Sequence, residues 1–351
     1  MNKHQDIAAD AGGIRATERG MSLIELMTSL AISMVIVSAA MMIVIAAVKS
    51  GRGSQDLSDL QRGGRIALSV LADEIGKAGL GLPRRLAFAS GSATGLKVAS
   101  VDLIREWKVA GSSAGAITLA ALSDVTPPLN PTGAADTGLR LGQWLFLFKS
   151  ATIDTSTAGS NHGHGMVQLT AARAANTTAL QVATTSNFST LQPDFNLAQT
   201  WGAGHDLSLM RAHVVEFALN TSLTDHPYMT ITEDGSNPVP VVTDVDGVGG
   251  LKFAYFIDAN CDGQSDDLNA DGVIDENDTV TSPFVVRLAP CDPADNTDVM
   301  VTAVRVTVVL RSSSVDPGRG DYRRASFSQT IPTRNINTRA TQFIFVDNTG
   351  I

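Results

Sequence analysis

A long uncharged and mostly apolar stretch lies near the start of the chain, from Leu26 to Val48. As an α-helix it spans roughly 34 Å, which is enough to cross a bilayer. It is also longer than the apolar core of an ordinary signal peptide. The preceding residues are polar and carry Lys3, Arg15 and Arg19, which favours retention of this end in the cytoplasm. We therefore expect a single-pass membrane protein whose bulk lies outside the cytoplasm.

After this stretch, apolar or small residues recur at steps of three and four, and charged residues fall between them. This pattern predicts an amphipathic helix that packs on the protein's own core. The glycines between Gly51 and Gly64 weaken the helix and predict a break near residues 49–54. Gly79, Gly81 and Pro83 predict its end. The stripe consists of Leu57, Leu60, Gly64, Ala67, Leu71, Ile75 and Ala78.

Beyond Pro83 the period of the pattern changes to that of β-strands. Residues 251–257 and 304–310 alternate between apolar and other positions, which predicts half-buried strands. The short apolar runs 144–148 and 343–346 predict buried strands. The expected fold class is α+β, with one long N-terminal helix at 21–82 and a β-rich globular head at 83–351.

The charge of the chain is concentrated in one place. The 351 residues carry 26 Lys and Arg against 35 Asp and Glu, a net charge of −9 that disfavours nucleic-acid binding. Eight acidic residues and no Lys or Arg fall between Asp258 and Asp278, and removing them leaves −1 on the rest. The acidity therefore requires a local explanation. At 44% hydrophobic residues, the chain has enough apolar material for a folded core.

The acidic segment has the spacing of a calcium loop. Such a loop uses side-chain oxygens at positions 1, 3, 5, 9 and 12, a glycine at 6 and a backbone carbonyl at 7. Gly272 occupies position 6, and Asp278 at position 12 is shorter than the usual Glu. The expected ligands of a structural Ca²⁺ are Asp267, Asn269, Asp271, Val273, Asp275 and Asp278. The alternative is a solvated hairpin tip without metal.

A second, incomplete copy of the pattern begins upstream at Asp258, Asn260 and Asp262. Two full loops cannot coexist, because the twelfth position of the first would fall on Asn269. Cys261 lies in the same segment, and Cys291 follows it. Export to an oxidising compartment favours a Cys261–Cys291 disulfide that closes the acidic segment. The alternative is two separate buried thiols.

Glu25 is the charged residue at the N-terminal edge of the apolar stretch. A carboxylate in lipid is costly and needs a partner. Cleavage after Gly20 would supply one, the new α-amine of Met21, on the same or a neighbouring chain. Glu25 would also lie in the first helical turn, where the helix dipole favours a negative charge. The alternative is a plain membrane anchor with Glu25 at the level of the lipid headgroups.

The residues from Gly20 to Glu25, followed by the apolar run, resemble the class III leader of type IV prepilins and pseudopilins. Gly20 matches the residue before the cut, Met21 the new N-terminus (usually Phe) and Glu25 the essential acidic residue. The resemblance implies that a prepilin peptidase removes residues 1–20 and methylates Met21. It also implies that Glu25 neutralises the N-terminus of a neighbouring subunit in a filament.

The resemblance extends to PilW-type minor pilins at residues 65–79, 242–263, 301–311 and 326–335. It implies a type IV pilin-like fold and a non-enzymatic subunit that acts in pilus priming or at the tip. Its partners would be other pilins and minor pilins, contacted through the helix, and a tip adhesin. Before assembly it would lie in the inner membrane with a periplasmic head. An alternative is a pseudopilin of a type II secretion system.

One motif indicates a different class of protein. Residues 111–115 match the G-x-S-x-G pattern of a hydrolase, with Ser112 or Ser113 as nucleophile. That site needs a strand before the serine and a helix after it. The following residues 116–119 have the composition of a strand, so we expect a turn. A membrane-tethered hydrolase is the alternative of a different class.

Overall fold

The computed structural model describes residues 22–82, 87–113, 115–119, 139–149, 164–171, 173, 178–183, 207–258, 264–281, 300–316 and 320–333. The chain divides into two compact units, residues 1–55 and residues 56–351. One long helix is followed by strands, as expected for an α+β chain with an apolar N-terminal helix and a strand-rich domain. The apolar run 343–346 lies outside the described residues.

Helix α1 comprises Leu23–Lys77. At its start the Ser22 hydroxyl accepts a hydrogen bond from the Ile24 N–H at 3.3 Å. At its end Gly79 and Gly81 adopt positive φ angles of 77° and 71°, a conformation that glycine enters without strain. The predicted end is confirmed. The predicted break near residues 49–54 is wrong, since the helix is continuous there: each glycine costs only about 1 kcal/mol relative to alanine.

Among the described residues the larger sheet has nine strands, and all of their pairings are antiparallel. Its main order is β5-β4-β7-β2-β3-β6, while β1 pairs with β2, and β8 pairs with β7 and β9. The strands are β1 Phe88–Gly91, β2 Gly95–Ser113, β3 Ala116–Leu119, β4 Trp144–Lys149, β5 His164–Gln168, β6 Ala179–Gln181, β7 Leu207–Asn220, β8 Tyr228–Glu233 and β9 Val239–Thr243.

The smaller sheet, in the part of the chain that the structure describes, has four antiparallel strands in the order β11-β10-β12-β13. The strands predicted at 251–257 and 304–310 are confirmed, and the structure pairs them at the centre of this sheet, with Phe253 opposite Val306 and Tyr255 opposite Val304. The acidic segment follows β10 and returns to the sheet as the short β11. The strands are β10 Leu251–Asp258, β11 Thr279–Val280, β12 Met300–Asp316 and β13 Asp321–Pro332.

The amphipathic part of α1 shares one core with both sheets. The predicted stripe is buried from Leu60 to Ala78, and only Leu57 departs from it, at 49% exposed. Each large side chain buried in this way contributes about 1.5–3 kcal/mol. The stripe packs with β2 and β7 of the larger sheet and β10 and β12 of the smaller one. Core residues from these strands include Val98, Phe217, Phe253, Tyr255, Val306 and Leu310.

Strand β4 is buried on both faces, which explains why its sequence is almost entirely apolar. Leu145 and Leu147 belong to one buried cluster, whereas Phe146 and Phe148 belong to another. Successive side chains of a strand point to opposite faces, so both faces of the larger sheet are covered here. Phe146 and Phe148 stack with ring centroids 5.4 Å apart. The prediction of a buried strand at 144–148 is confirmed.

Candidate functional site

The start of α1 carries Glu25, the residue predicted to act in assembly. Its carboxylate accepts a hydrogen bond from the Ser22 N–H at 3.1 Å, and the Ser22 hydroxyl accepts one from Ile24. This reciprocal arrangement satisfies two backbone donors that have no partner within the helix. Glu25 is exposed, so its carboxylate remains accessible. Gly20 and Met21 lie outside the described residues.

The first part of α1 is apolar and open. The helix contains one segment long and apolar enough to span a membrane, and none of this segment is buried within the structure. A membrane anchor has this property, and so does a signal sequence close to an N-terminus.

The acidic loop at 264–281 is organised by hydrogen bonds between its own side chains and backbone. Asp267 accepts from the N–H groups of Asp271 at 3.2 Å and Gly272 at 2.6 Å. The side chains of Asn269 and Asp271 each accept from the backbone two residues further along the chain, at 2.9 and 2.8 Å. Gly272 has a φ of 85°, as the turn at this position requires. The sequence spacing thus produces a series of tight local turns.

Asp278 has a different position from the other predicted ligands. It is fully buried, and its two carboxylate oxygens accept from the N–H groups of Leu268 at 2.8 Å, Asn269 at 3.1 Å and Asp275 at 2.8 Å. These bonds, led by that from Asp275, lower the pKa of Asp278. The carboxylate of Asp278, the residue predicted as the last metal ligand, therefore joins the two ends of the loop by accepting hydrogen bonds from the loop backbone.

No metal-binding group is already assembled among the described residues. Within those ranges, no three His, Cys, Asp or Glu side chains lie close enough together to hold an ion. Asp258 is fully buried at the end of β10. Asn260, Asp262 and both cysteines of the expected disulfide, Cys261 and Cys291, lie outside the described residues. The loop has the oxygen donors that Ca²⁺ uses, but they are bound to backbone N–H groups.

An ionic network that the sequence pattern does not predict joins α1 to the larger sheet. The His213 ring on β7 lies 3.3 Å from Glu74 on α1 and 3.6 Å from Asp234, in the turn between β8 and β9. Arg211 lies 3.4 Å from the same Asp234 carboxylate. Asp234 also accepts from the Val214 N–H at 2.8 Å, which fastens the turn to β7. No local sequence signal connects residues so far apart in the chain.

The network changes the protonation of its members. The carboxylate of Asp234, and then that of Glu74, raises the pKa of His213 to about 10. The imidazolium in turn lowers the pKa of Glu74. Burial opposes ionisation of Asp234, but His213, the Val214 N–H and Arg211 together lower its pKa. His213 is therefore a cation at neutral pH, in contrast to an isolated histidine.

The close packing of α1 on the smaller sheet is a second feature that the sequence pattern does not predict. A Cβ atom at Gly64 would lie 2.4–2.6 Å from ring atoms of Phe327 on β13. A Cβ atom at Gly63 would lie 3.0 Å from Leu310 and 3.2 Å from Val242. Helix propensity alone predicts that the two glycines weaken α1, whereas the structure uses them for a close helix–sheet approach.

The described residues of the G-x-S-x-G motif lie at the end of β2 and directly before β3. Ser112 and Ser113 end β2, Gly115 has a φ of 80°, and the chain reverses directly into β3, with Ser113 opposite Ala116. The strand–turn–helix context that exposes a hydrolase nucleophile is replaced by a β-hairpin.

Comparison with known proteins gives no relative from which a function could be transferred. No protein-family model, no curated protein and no solved structure matches the chain.

Proposed function

We propose that the protein is a minor pilin of the PilW type, a non-enzymatic subunit of a type IV pilus. The observation that carries the proposal is Glu25 in the first turn of α1, five residues after Gly20 and directly before the open apolar segment. In this proposal a prepilin peptidase cuts after Gly20. The protein then lies in the inner membrane until its helix joins other pilins, where it acts in priming or at the tip.

The hydrogen bonds at the start of α1 support this role for Glu25. The carboxylate already accepts from the N–H of Ser22, which is the second residue of the proposed mature chain. It therefore lies close in sequence to the proposed α-amine of Met21 while remaining exposed to a neighbour. An ion pair with that amine lowers the cost of placing both charges among apolar helices.

The first test is the N-terminus of the mature protein. Mass spectrometry of the protein from its native membrane should show a chain that begins at Met21. A chain that begins at Met1 would contradict the proposal.

The second test separates the charge of Glu25 from its capping role. Glu25→Gln keeps an oxygen that can accept from Ser22 but removes the negative charge, so we expect normal membrane insertion and strongly reduced incorporation into sheared filaments. Ser22→Ala is the control, because it removes the capping hydroxyl and leaves the charge. Equal incorporation of Glu25→Gln and wild type would refute the pairing with a neighbouring amine.

We also propose that Ca²⁺ binds the acidic loop and has a structural role. Asp267, Asn269, Asp271 and Asp275, with the carbonyl of Val273, would exchange some of their loop hydrogen bonds for the ion. The six acidic residues between 264 and 281 repel one another, and a divalent cation reduces this repulsion.

Two variants test the calcium proposal. In Asp271→Asn the side-chain oxygen still accepts from Val273 but the charge is lost, so the rise in melting temperature produced by Ca²⁺ should shrink while the melting temperature in chelator is unchanged. Asp278→Ala should lower the melting temperature in chelator as well, because it leaves three backbone N–H groups without partners. Scanning calorimetry that shows the same wild-type melting temperature in Ca²⁺ and in chelator would refute calcium binding.

A further inference from the structure

An open groove of about 530 Å³ lies on the smaller sheet beside the acidic loop. The nearly buried Phe256 and Ala303 line it, and so does Ile274, which is 50% exposed. Asp275, Glu276 and Arg305 also line the groove, so its charged lining has two carboxylates and one guanidinium. Glu276 pairs with Arg305 at 2.7 Å while remaining 63% exposed. The groove thus combines apolar walls with an acidic border.

The groove faces away from α1. Tyr255 and Val304 lie in the core that contains α1. Phe256 and Ala303 are their immediate neighbours in β10 and β12, and successive side chains of a strand point to opposite faces. The groove is therefore on the outer face of the sheet, and α1 is on the inner face.

The exposed side of α1 carries a surface of complementary chemistry. Ile66 is 43% exposed, although it belongs to a helix whose other face is buried. Arg62 and Arg65 lie four residues and one residue before it, and both are exposed. Neither arginine has an ion-pair or hydrogen-bond partner for its side chain among the described residues. This surface presents an apolar side chain beside two exposed guanidinium groups.

We propose that the groove receives Ile66, with Arg62 and Arg65 against its acidic border, from a second copy of the chain. The two surfaces lie on opposite sides of the smaller sheet and are both exposed in the same molecule, so they cannot meet within one copy. The acidic loop keeps a net negative charge even with one Ca²⁺ bound, because it contains six acidic residues and no Lys or Arg.

A contact between two different surfaces is heterologous, so it leaves one free groove and one free helix surface in every pair and can continue from copy to copy. One apolar side chain and two arginines bury less surface than a standard interface of about 800 Å² per partner. We therefore expect weak association in solution and stronger association where copies are confined to one membrane. The inference rests on the proposed membrane anchoring, but not on incorporation into a pilus.

The test is site-specific photo-crosslinking of the full chain in membranes of cells that lack a pilus machine, at a fixed Ca²⁺ concentration. A benzophenone amino acid at Ile66 should give a dimer whose crosslinked peptide contains residues 253–258 or 274–276. The same probe at Leu223, which is 58% exposed on the loop between β7 and β8, is the matched control and should give no such dimer.

Charge reversal tests the border of the groove. Arg65→Glu should lower the crosslinking yield about five-fold, the scale of one exposed ion pair, and Glu276→Arg should do the same. The double variant Arg65→Glu/Glu276→Arg should recover most of the yield, whereas Arg140→Glu, at another exposed arginine, should leave it unchanged. Crosslinks from Ile66 only to lipid or to another protein, or a double variant no better than the singles, would overturn the proposal. Failure of the Glu25 test would leave these results unaffected.

Discussion

The two parts of α1 show how one helix can carry two kinds of sequence. In its first part every side chain from Leu23 to Ser50 is exposed, and most are apolar. In the second part, from Leu60 to Ala78, one face is buried in the core shared by both sheets. The first part has no partner within the described structure, while the second is fixed by contacts from distant strands. Substitutions in the second part should therefore destabilise the head, whereas those in the first part should leave its stability unchanged.

Leu71→Ala should have the largest effect on the head. Leu71 is fully buried, and its truncation should lower the free energy of unfolding by about 2–5 kcal/mol. Ile36→Ala, at a position 62% exposed, should leave that free energy unchanged. All three tryptophans lie beyond residue 100, so their fluorescence in detergent reports the head alone. Equal destabilisation by both variants would contradict the division of α1 into an open and a packed part.

Gly64→Ala should have the next largest effect. Because a methyl group there would overlap the ring of Phe327, we expect a loss of about 1–3 kcal/mol. Gly76 lies on the same helix, and a methyl group added there would meet no atom within 4 Å, so Gly76→Ala should instead stabilise by up to about 1 kcal/mol. Denaturant unfolding of the Gly64→Ala and Gly76→Ala variants measures the change in the free energy of unfolding for each, which should be negative for the first and positive for the second. Stabilisation by Gly64→Ala would show that α1 is not closely packed against β13.

The ionic network between α1 and β7 should give the smallest effect, seen in the pH dependence of stability. The pKa of His213 is about 10 when folded, against about 6.5 when unfolded, so its contribution is complete below about pH 6.5 and is lost as the pH rises towards 10. The lowered pKa values of Glu74 and Asp234 act in the other direction, and their contribution is lost below about pH 4.

His213→Gln should remove the loss of stability between about pH 6.5 and 10. Because 30% of the His213 side chain is exposed, solvent screens its ion pairs, and the substitution should cost about 1 kcal/mol at neutral pH, less than the full pKa difference implies. Melting temperatures of the variant and the wild type across this range provide the measurement. His226, which lies 2.6 Å from Asp244 on an exposed loop, offers the control His226→Gln. Parallel pH profiles for wild type and His213→Gln would show that the network does not contribute to stability.

The features that could be predicted from sequence are those encoded by neighbouring residues. The period of the stripe from Leu60 to Ala78, the alternation in β10 and the uniform apolar run in β4 each follow from the geometry of one element. The aspartate spacing likewise produces the tight turns of the acidic loop. The predicted break near Gly51 was wrong because a glycine's propensity is a small term in a helix of 55 residues.

The remaining features depend on residues that are distant in the chain. Glu74 and His213 meet only because α1 packs across β7, and Gly64 faces Phe327 only because β13 is paired with β12. Asp278 was predicted as a metal ligand, and this stays a prediction; its burial and its three backbone partners depend on how the loop closes. Such contacts have no local period, so a single sequence does not reveal them.

The close packing of α1 on β13 restricts how the sequence can evolve. The ring of Phe327 fills the space that a side chain at position 64 would need, so neither position can vary independently. A homologous chain with alanine at position 64 needs a smaller side chain at position 327. A chain with a smaller side chain at position 327 has a cavity that alanine at position 64 would fill. We therefore expect residues 64 and 327 to covary among homologous chains, with summed side-chain volume as the conserved quantity.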